Sequence, residues 1–193
     1  MARTREFDED KALEDAMELF WRQGFAETSM RDVSAYTGVA HAGLYAAFGD
    51  KSNLYLSALK RYQHVIGGMI FNMLEAEESA RTEIESFFYM MLGLASSAQF
   101  SNGCMICNTA VEFRDSDHEI ADIARSQLER MASAFEGALT RAKARGEVRA
   151  DLDPQGTASL FTATFQGLSV FARSKMPMSH AKRAVETALA FLD

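Results

Sequence analysis

The residues best suited to covalent chemistry are Cys104 and Cys107, in the run Gly103-Cys104-Met105-Ile106-Cys107-Asn108. Spaced i, i+3, the two thiols share one side of a helix. A cysteine near a helix N-terminus is stabilised as thiolate and can react with oxidants or electrophiles. A buried cysteine is instead a small apolar residue. Both readings are open at this point. Metal chemistry is not expected: one Cys-x-x-Cys pair with His118 eleven residues further on lacks a fourth ligand. The cluster Asp117-His118-Glu119 does not have the Glu-x-x-His spacing of a helical di-metal enzyme. No phosphate-cradling glycine loop or nucleophile elbow is present. Neither an enzyme nor a cofactor is therefore expected.

The elements that must position these residues are helical. The chain has 193 residues, 48% of them hydrophobic, which favours a packed core over disorder. Its two prolines, Pro154 and Pro177, fall in the last quarter. Long proline-free stretches rich in Ala, Leu, Met, Glu and Arg favour helix, and no two-residue alternation marks a strand. Residues 1–10 lack the apolar core of a secretory signal, and no apolar run approaches the ~18 residues of a membrane span. The expectation is a cytoplasmic, all-α protein of about nine helices with no membrane partner.

The first helix is expected over 8–23, with Leu13, Ala16, Met17 and Phe20 as its buried stripe, acids at its start and Gly24 as its stop. Ser29 and Asp32 form a capping-box pattern for a second helix, which Gly38 breaks. A short third helix fits 41–47, stopped by Gly49. Two short helices separated by a glycine turn make a helix-turn-helix, spanning roughly 29–48. Longer helices follow: 51–77 with a bend at Gly67-Gly68, 82–98, 104–113, 116–145, 154–173 and 179–192. The net charge of −7 is unusual for a DNA binder, but phosphate contact depends on where the cations sit. Arg3, Arg5, Arg31, Lys51, Lys60 and Arg61 could share one side.

The segments Phe25-Ala26-Glu27-Thr28-Ser29-Met30-Arg31-Asp32-Val33, Thr37-Gly38-Val39, Gly43-Leu44-Tyr45 and Phe48-Gly49-Asp50-Lys51 resemble the DNA-binding module of the TetR family of repressors over about residues 8–60. The resemblance implies a helix-turn-helix DNA-binding domain over 1–50 and a helical effector-binding and dimerisation domain over 51–193. Its partners would be double-stranded operator DNA, a small-molecule effector and a second copy of the chain. The matched residues suit that role. Tyr45 offers a hydroxyl or a ring, Arg31 a cation, and His41, Ala42 and Gly43 occupy the recognition-helix N-terminus that enters a major groove. Thr28 and Ser29 could donate to phosphate, and Lys51 lies at a helix start where an anion is favoured. Gly43 would let the helix approach DNA closely. Ala46-Ala47 departs from the polar or aromatic pair often found there, shifting readout to His41, Tyr45 and Arg31 or to DNA shape.

In the C-terminal part, Phe71, Phe87, Phe88, Met91, Phe100, Met105, Phe135 and Phe165 are expected to line an effector pocket, with Cys104 and Cys107 beside it. Fourteen phenylalanines and eleven methionines supply pliable apolar surface for an apolar or aromatic effector; the cysteines would add an electrophile. The resemblance also implies a dimer interface on the last two helices, assigned to Phe161, Leu168, Phe171, Val185, Ala188 and Leu189. An alternative is a redox-sensing interaction protein acting through Cys104 and Cys107 without DNA.

Overall fold

A computed structural model describes residues 7–75, 80–97, 101–113 and 118–193. Among these residues every regular element is helical. The order is α1 (Glu9–Gln23), α2 (Met30–Thr37), α3 (His41–Phe48), α4 (Lys51–Tyr62), a π-helical turn (Gln63–Gly67), α5 (Gly68–Glu75), α6 (Arg81–Ala95), α7 (Met105–Glu112), α8 (His118–Ala144), α9 (Pro154–Arg173) and α10 (Met178–Leu189). A 3-10 turn, Ala190–Leu192, closes the chain. Helices α4 and α5 run on through the π turn, so the expected bend begins just before Gly67-Gly68 rather than at it. One extra residue in the turn shifts the buried face from Leu54, Ala58 and Leu59 to Ile70, Phe71 and Leu74.

Local signals set the N-terminal helices. Asp8 caps α1 by accepting from Lys11 N, with Glu9 and Asp10 beside the positive end of the helix dipole. Ser29 and Asp32 form the reciprocal capping box of α2. Gly38 ends α2 in the left-handed region at φ 70°, where a side chain would be strained. Asp50 caps α4 through Asn53 N.

Two hydrophobic cores result. The first gathers Phe20, Trp21, Val33, Leu44, Leu54, Tyr55 and Leu59 with Cys104, Met105, Ile106 and Phe113. It therefore joins α1–α4 to α7 and to the start of α8, whose Ile120 and Ala124 belong to it. The second packs α5, α6 and the C-terminal part of α8 against α9 and α10. Phe87, Phe88, Phe135, Phe161 and Phe165 form its centre, mostly edge-to-face with centroids 5.2–5.7 Å apart. That geometry suits the ring quadrupoles.

Candidate nucleic-acid interface and internal cavity

Helix α3 stands out from the protein on one side and is pinned on the other. Leu44 is fully buried, while His41, Ala42, Tyr45 and Ala46 are exposed. Tyr45 keeps 45% of its surface open. His41 and Tyr45, one turn apart, lie against each other with ring centroids 4.7 Å apart and planes tilted by 53°. Gly43 faces inward: a Cβ there would lie 3.2 Å from the Phe7 ring and 3.3 Å from Val39 Cγ1. Its small size thus serves the seating of α3 on the protein, not an approach to DNA. Arg31 is exposed on α2. Helices α1, α2 and α4 all start with a side-chain cap, whereas α3 starts at Ala40 with none and with no acid in its first turn. An open, uncapped helix start favours an anion. This signal was present in the sequence as Ala40 but passed unread.

Three expected phosphate contacts are committed elsewhere. Thr28 is buried, and its hydroxyl donates to Gly24 O at 2.6 Å, holding the turn after α1. The Ser29 hydroxyl donates to Asp32 Oδ2 at 2.6 Å, so its proton is spent in the capping box and a carboxylate stands beside it. These bonds hold the Asp32 carboxyl below its usual range, the Ser29 side chain first and its backbone N–H second. Lys51 is half-buried, and its ammonium donates to Phe25 O and Thr28 O at 3.0 Å each, 4.0 Å from the Phe25 ring centroid. Lys51 braces the turn before α2, with one N–H left over. Two further cations face acids. Arg61 faces Asp10 and Glu14, and Lys60 faces Glu119. Arg3 and Arg5 lie outside the described residues, as does Asp117.

The reading head is bolted to the rest of the chain. Glu112, at the end of α7, accepts from Phe25 N at 3.0 Å and Ala26 N at 2.6 Å. The Trp21 indole donates to Gly103 O at 2.8 Å, and Arg173 Nη1 donates to Asn102 O at 3.0 Å. Tyr55 and Thr109 share a buried 2.8 Å hydrogen bond. Gly103 has φ +72°, and a Cβ on it would lie 2.9 Å from Ser169 O of α9.

Beside this junction is a cavity that is partly open to solvent. Phe71, Met91, Cys104 and Phe165 line it. Phe87, Phe88 and Phe135 do not, being spent in the aromatic core, and Met105 is packed into the first core. Cys107 borders a separate outer cleft with Asn108, Val170 and Arg173. Phe100 lies outside the described residues. Tyr62, Gln63, Gln127, Gln166 and Ser169 also line the cavity. Sequence reasoning places Tyr62 on the inner side of its helix but misses Gln63, Gln127, Gln166 and Ser169, because such polar residues on a helix read as its solvent face. Burial pushes the Cys104 thiol up, partly offset by hydrogen bonds from the Cys107 amide, the Tyr62 hydroxyl and the Ile106 amide. Burial raises Cys107 as well. Neither cysteine is thus an activated thiolate. Among the described residues no three His, Cys, Asp or Glu stand together as metal ligands.

The dimer assignment needs correction. Phe161, Leu168, Val185, Ala188 and Leu189 are buried inside the chain, and Leu168 lines the cavity. The large apolar residues of an amphipathic helix go to its own core first, and the outward stripe holds the others. Among the described residues, Leu160 and Val170 of α9 and Phe191 of the closing 3-10 turn are 37%, 55% and 50% exposed, and Phe171 is half-buried.

Comparison with known proteins settles the family. The family described as bacterial regulatory proteins, tetR family, matches residues 12–58, and the tetracyclin repressor-like C-terminal domain matches residues 80–188. This chain belongs to the TetR family. It is a transcriptional regulator, and the reading through cysteines without DNA is not favoured by these matches. The TetR-family chain is 30% identical to the uncharacterized HTH-type transcriptional regulator YezE of Bacillus subtilis (strain 168) across the full length of both. It is 28% identical to the HTH-type transcriptional repressor ComR of Escherichia coli (strain K12), over 97% of this chain and 90% of that one. Among solved structures, a cysteine mutant of the TetR family regulator CifR, complexed with 26bp double-strand operator DNA, superposes with a TM-score of 0.88. It is 27% identical and covers both chains fully. Among the described residues of this TetR-family regulator, no helix is long and apolar enough to cross a membrane.

Proposed function

We propose that this regulator is a cytoplasmic, homodimeric repressor that grips a palindromic operator through α3 and is released when a small apolar or aromatic effector fills the internal cavity. The observation that carries this reading is α3 itself. Its start is uncapped and open, and its outer face offers His41, Ala42 and Tyr45, with Arg31 on the neighbouring helix. Gly43, Thr28, Ser29 and Lys51 keep that face in place. The operator complex of CifR supports the same use of the fold. Residues 1–50 are the reading unit and 51–193 the sensing and pairing unit. Dimerisation through the exposed apolar residues of α9 and the closing 3-10 turn brings two reading heads to successive major grooves, about 34 Å apart. The apolar effector is preferred to an electrophile because burial raises the Cys104 thiol.

The test is fluorescence anisotropy on a fragment of the regulator's own promoter across a salt series. Log affinity should fall linearly with log salt. Tyr45→Ala should weaken operator binding by roughly 1–3 kcal/mol, if it reads a base, and leave nonspecific binding intact. Binding that is absent, or indifferent to salt, would overturn the reading. For the pairing surface, Val170→Arg should yield monomers by sedimentation and lose the operator.

A further inference from the structure

The cavity wall is uncharged. Among its described lining residues there is no Asp, Glu, Lys, Arg or His. An ion entering it would lose its hydration and gain no counter-charge. Of the polar side chains on the wall, all but one have partners. The Tyr62 hydroxyl is engaged with Cys104 and the Met105 amide. Gln63 Nε2 donates to Gln127 Oε1 at 3.1 Å, and Ser169 Oγ donates to Phe165 O at 3.4 Å. Gln166 of α9 is the exception: its Oε1 is shielded from solvent and accepts no hydrogen bond. A buried acceptor left unmade is costly, and a ligand that supplies a donor removes that cost. Around it the wall is apolar, with Ile66, Phe71, Met91, Met131 and Phe165.

We infer that the cavity takes a neutral, mainly apolar small molecule carrying one hydroxyl or amide N–H, which donates to Gln166 Oε1 once that half-buried side chain turns toward the cavity. This rests on the reading of the cavity as the effector site. A neutral donor is selected by Gln166, and carboxylates and ammonium ions are refused by the uncharged wall.

Four near-isosteric probes test this on the full-length protein by titration calorimetry: benzyl alcohol, ethylbenzene, benzoate and benzylammonium. Benzyl alcohol and ethylbenzene should bind, and the two ions should bind at least ~100-fold more weakly than the alcohol. Because ethylbenzene starts with the larger hydrophobic gain, the decisive quantity is the alcohol-to-hydrocarbon affinity ratio in two proteins. Gln166→Met keeps the shape of the side chain and removes the acceptor, so the ratio should fall about tenfold. Retained ethylbenzene binding in that variant shows that the cavity is still formed. An unchanged ratio, an ion bound within tenfold of the alcohol, or no binding by any probe would overturn the inference. If the ratio falls as expected but saturating benzyl alcohol leaves the operator complex intact, the ligand assignment stands and effector-driven release fails.

Discussion

Replacing Lys51 by Met keeps the aliphatic stem and removes only the ammonium. The structure assigns that ammonium two hydrogen bonds to main-chain carbonyls, Phe25 O and Thr28 O, and a place 4.0 Å from the Phe25 ring centroid. A hydrogen bond from a charged donor contributes about 1.5–3 kcal/mol net. The site is half-buried, so the low end applies and water can replace part of the loss. The ring contact adds about 0.5–1 kcal/mol. The expected destabilisation is roughly 2–4 kcal/mol. It should appear as a lower urea midpoint with an unchanged slope, and as a fall in Tm of roughly 5–15 °C. Protein concentration must be held fixed, since any association of folded chains would add to their stability. A variant within about 0.5 kcal/mol of the parent that loses about one unit of salt slope in operator binding would refute the reasoning. It would mean that the ammonium leaves its carbonyls for a phosphate.

Further outcomes follow from the same contacts. Gly103→Ala puts a Cβ 2.9 Å from Ser169 O at φ +72° and should cost about 1–3 kcal/mol in urea unfolding. Glu112→Ala frees the amides of Phe25 and Ala26 and should lower operator affinity about tenfold in anisotropy titrations, with helical circular dichroism preserved. The Asp32 carboxyl is held low in the folded state, so it contributes stability that is present above its unfolded pKa and lost as pH falls through its folded pKa. The stability gap between the parent and Asp32→Asn should therefore close on acidification, as denaturation curves at successive pH values would show. Because burial pushes its thiol up, Cys104 should be alkylated by iodoacetamide at neutral pH at least about tenfold more slowly in the native protein than in urea, measured by mass spectrometry.

Much of the fold was legible because its signals are local. Ser29 with Asp32, the acids of α1, and Gly24, Gly38 and Gly49 mark helix ends through bonds spanning four residues or fewer, and the structure places the ends there. The exposed edge of α3 was implied by the family resemblance and not by a local signal. What failed was orientation across the chain. Thr28 and Lys51 look like surface donors until the turn they support is folded over them. Phe161 and Val185 were given to a partner subunit because an apolar stripe alone does not say which neighbour covers it. The wall glutamines were invisible in sequence, since only the meeting of the π turn, α8 and α9 makes an inside of their surface.

Gly103 merits a last consideration. Its carbonyl receives Trp21 of the head, its Cα rests on the main chain of α9, and its neighbour Cys104 forms cavity wall. It is a fulcrum on which three parts bear at once. Wall residues at a distance from Gly103 can therefore be exchanged while the contacts that hold α1 and α9 to this glycine are left as they are.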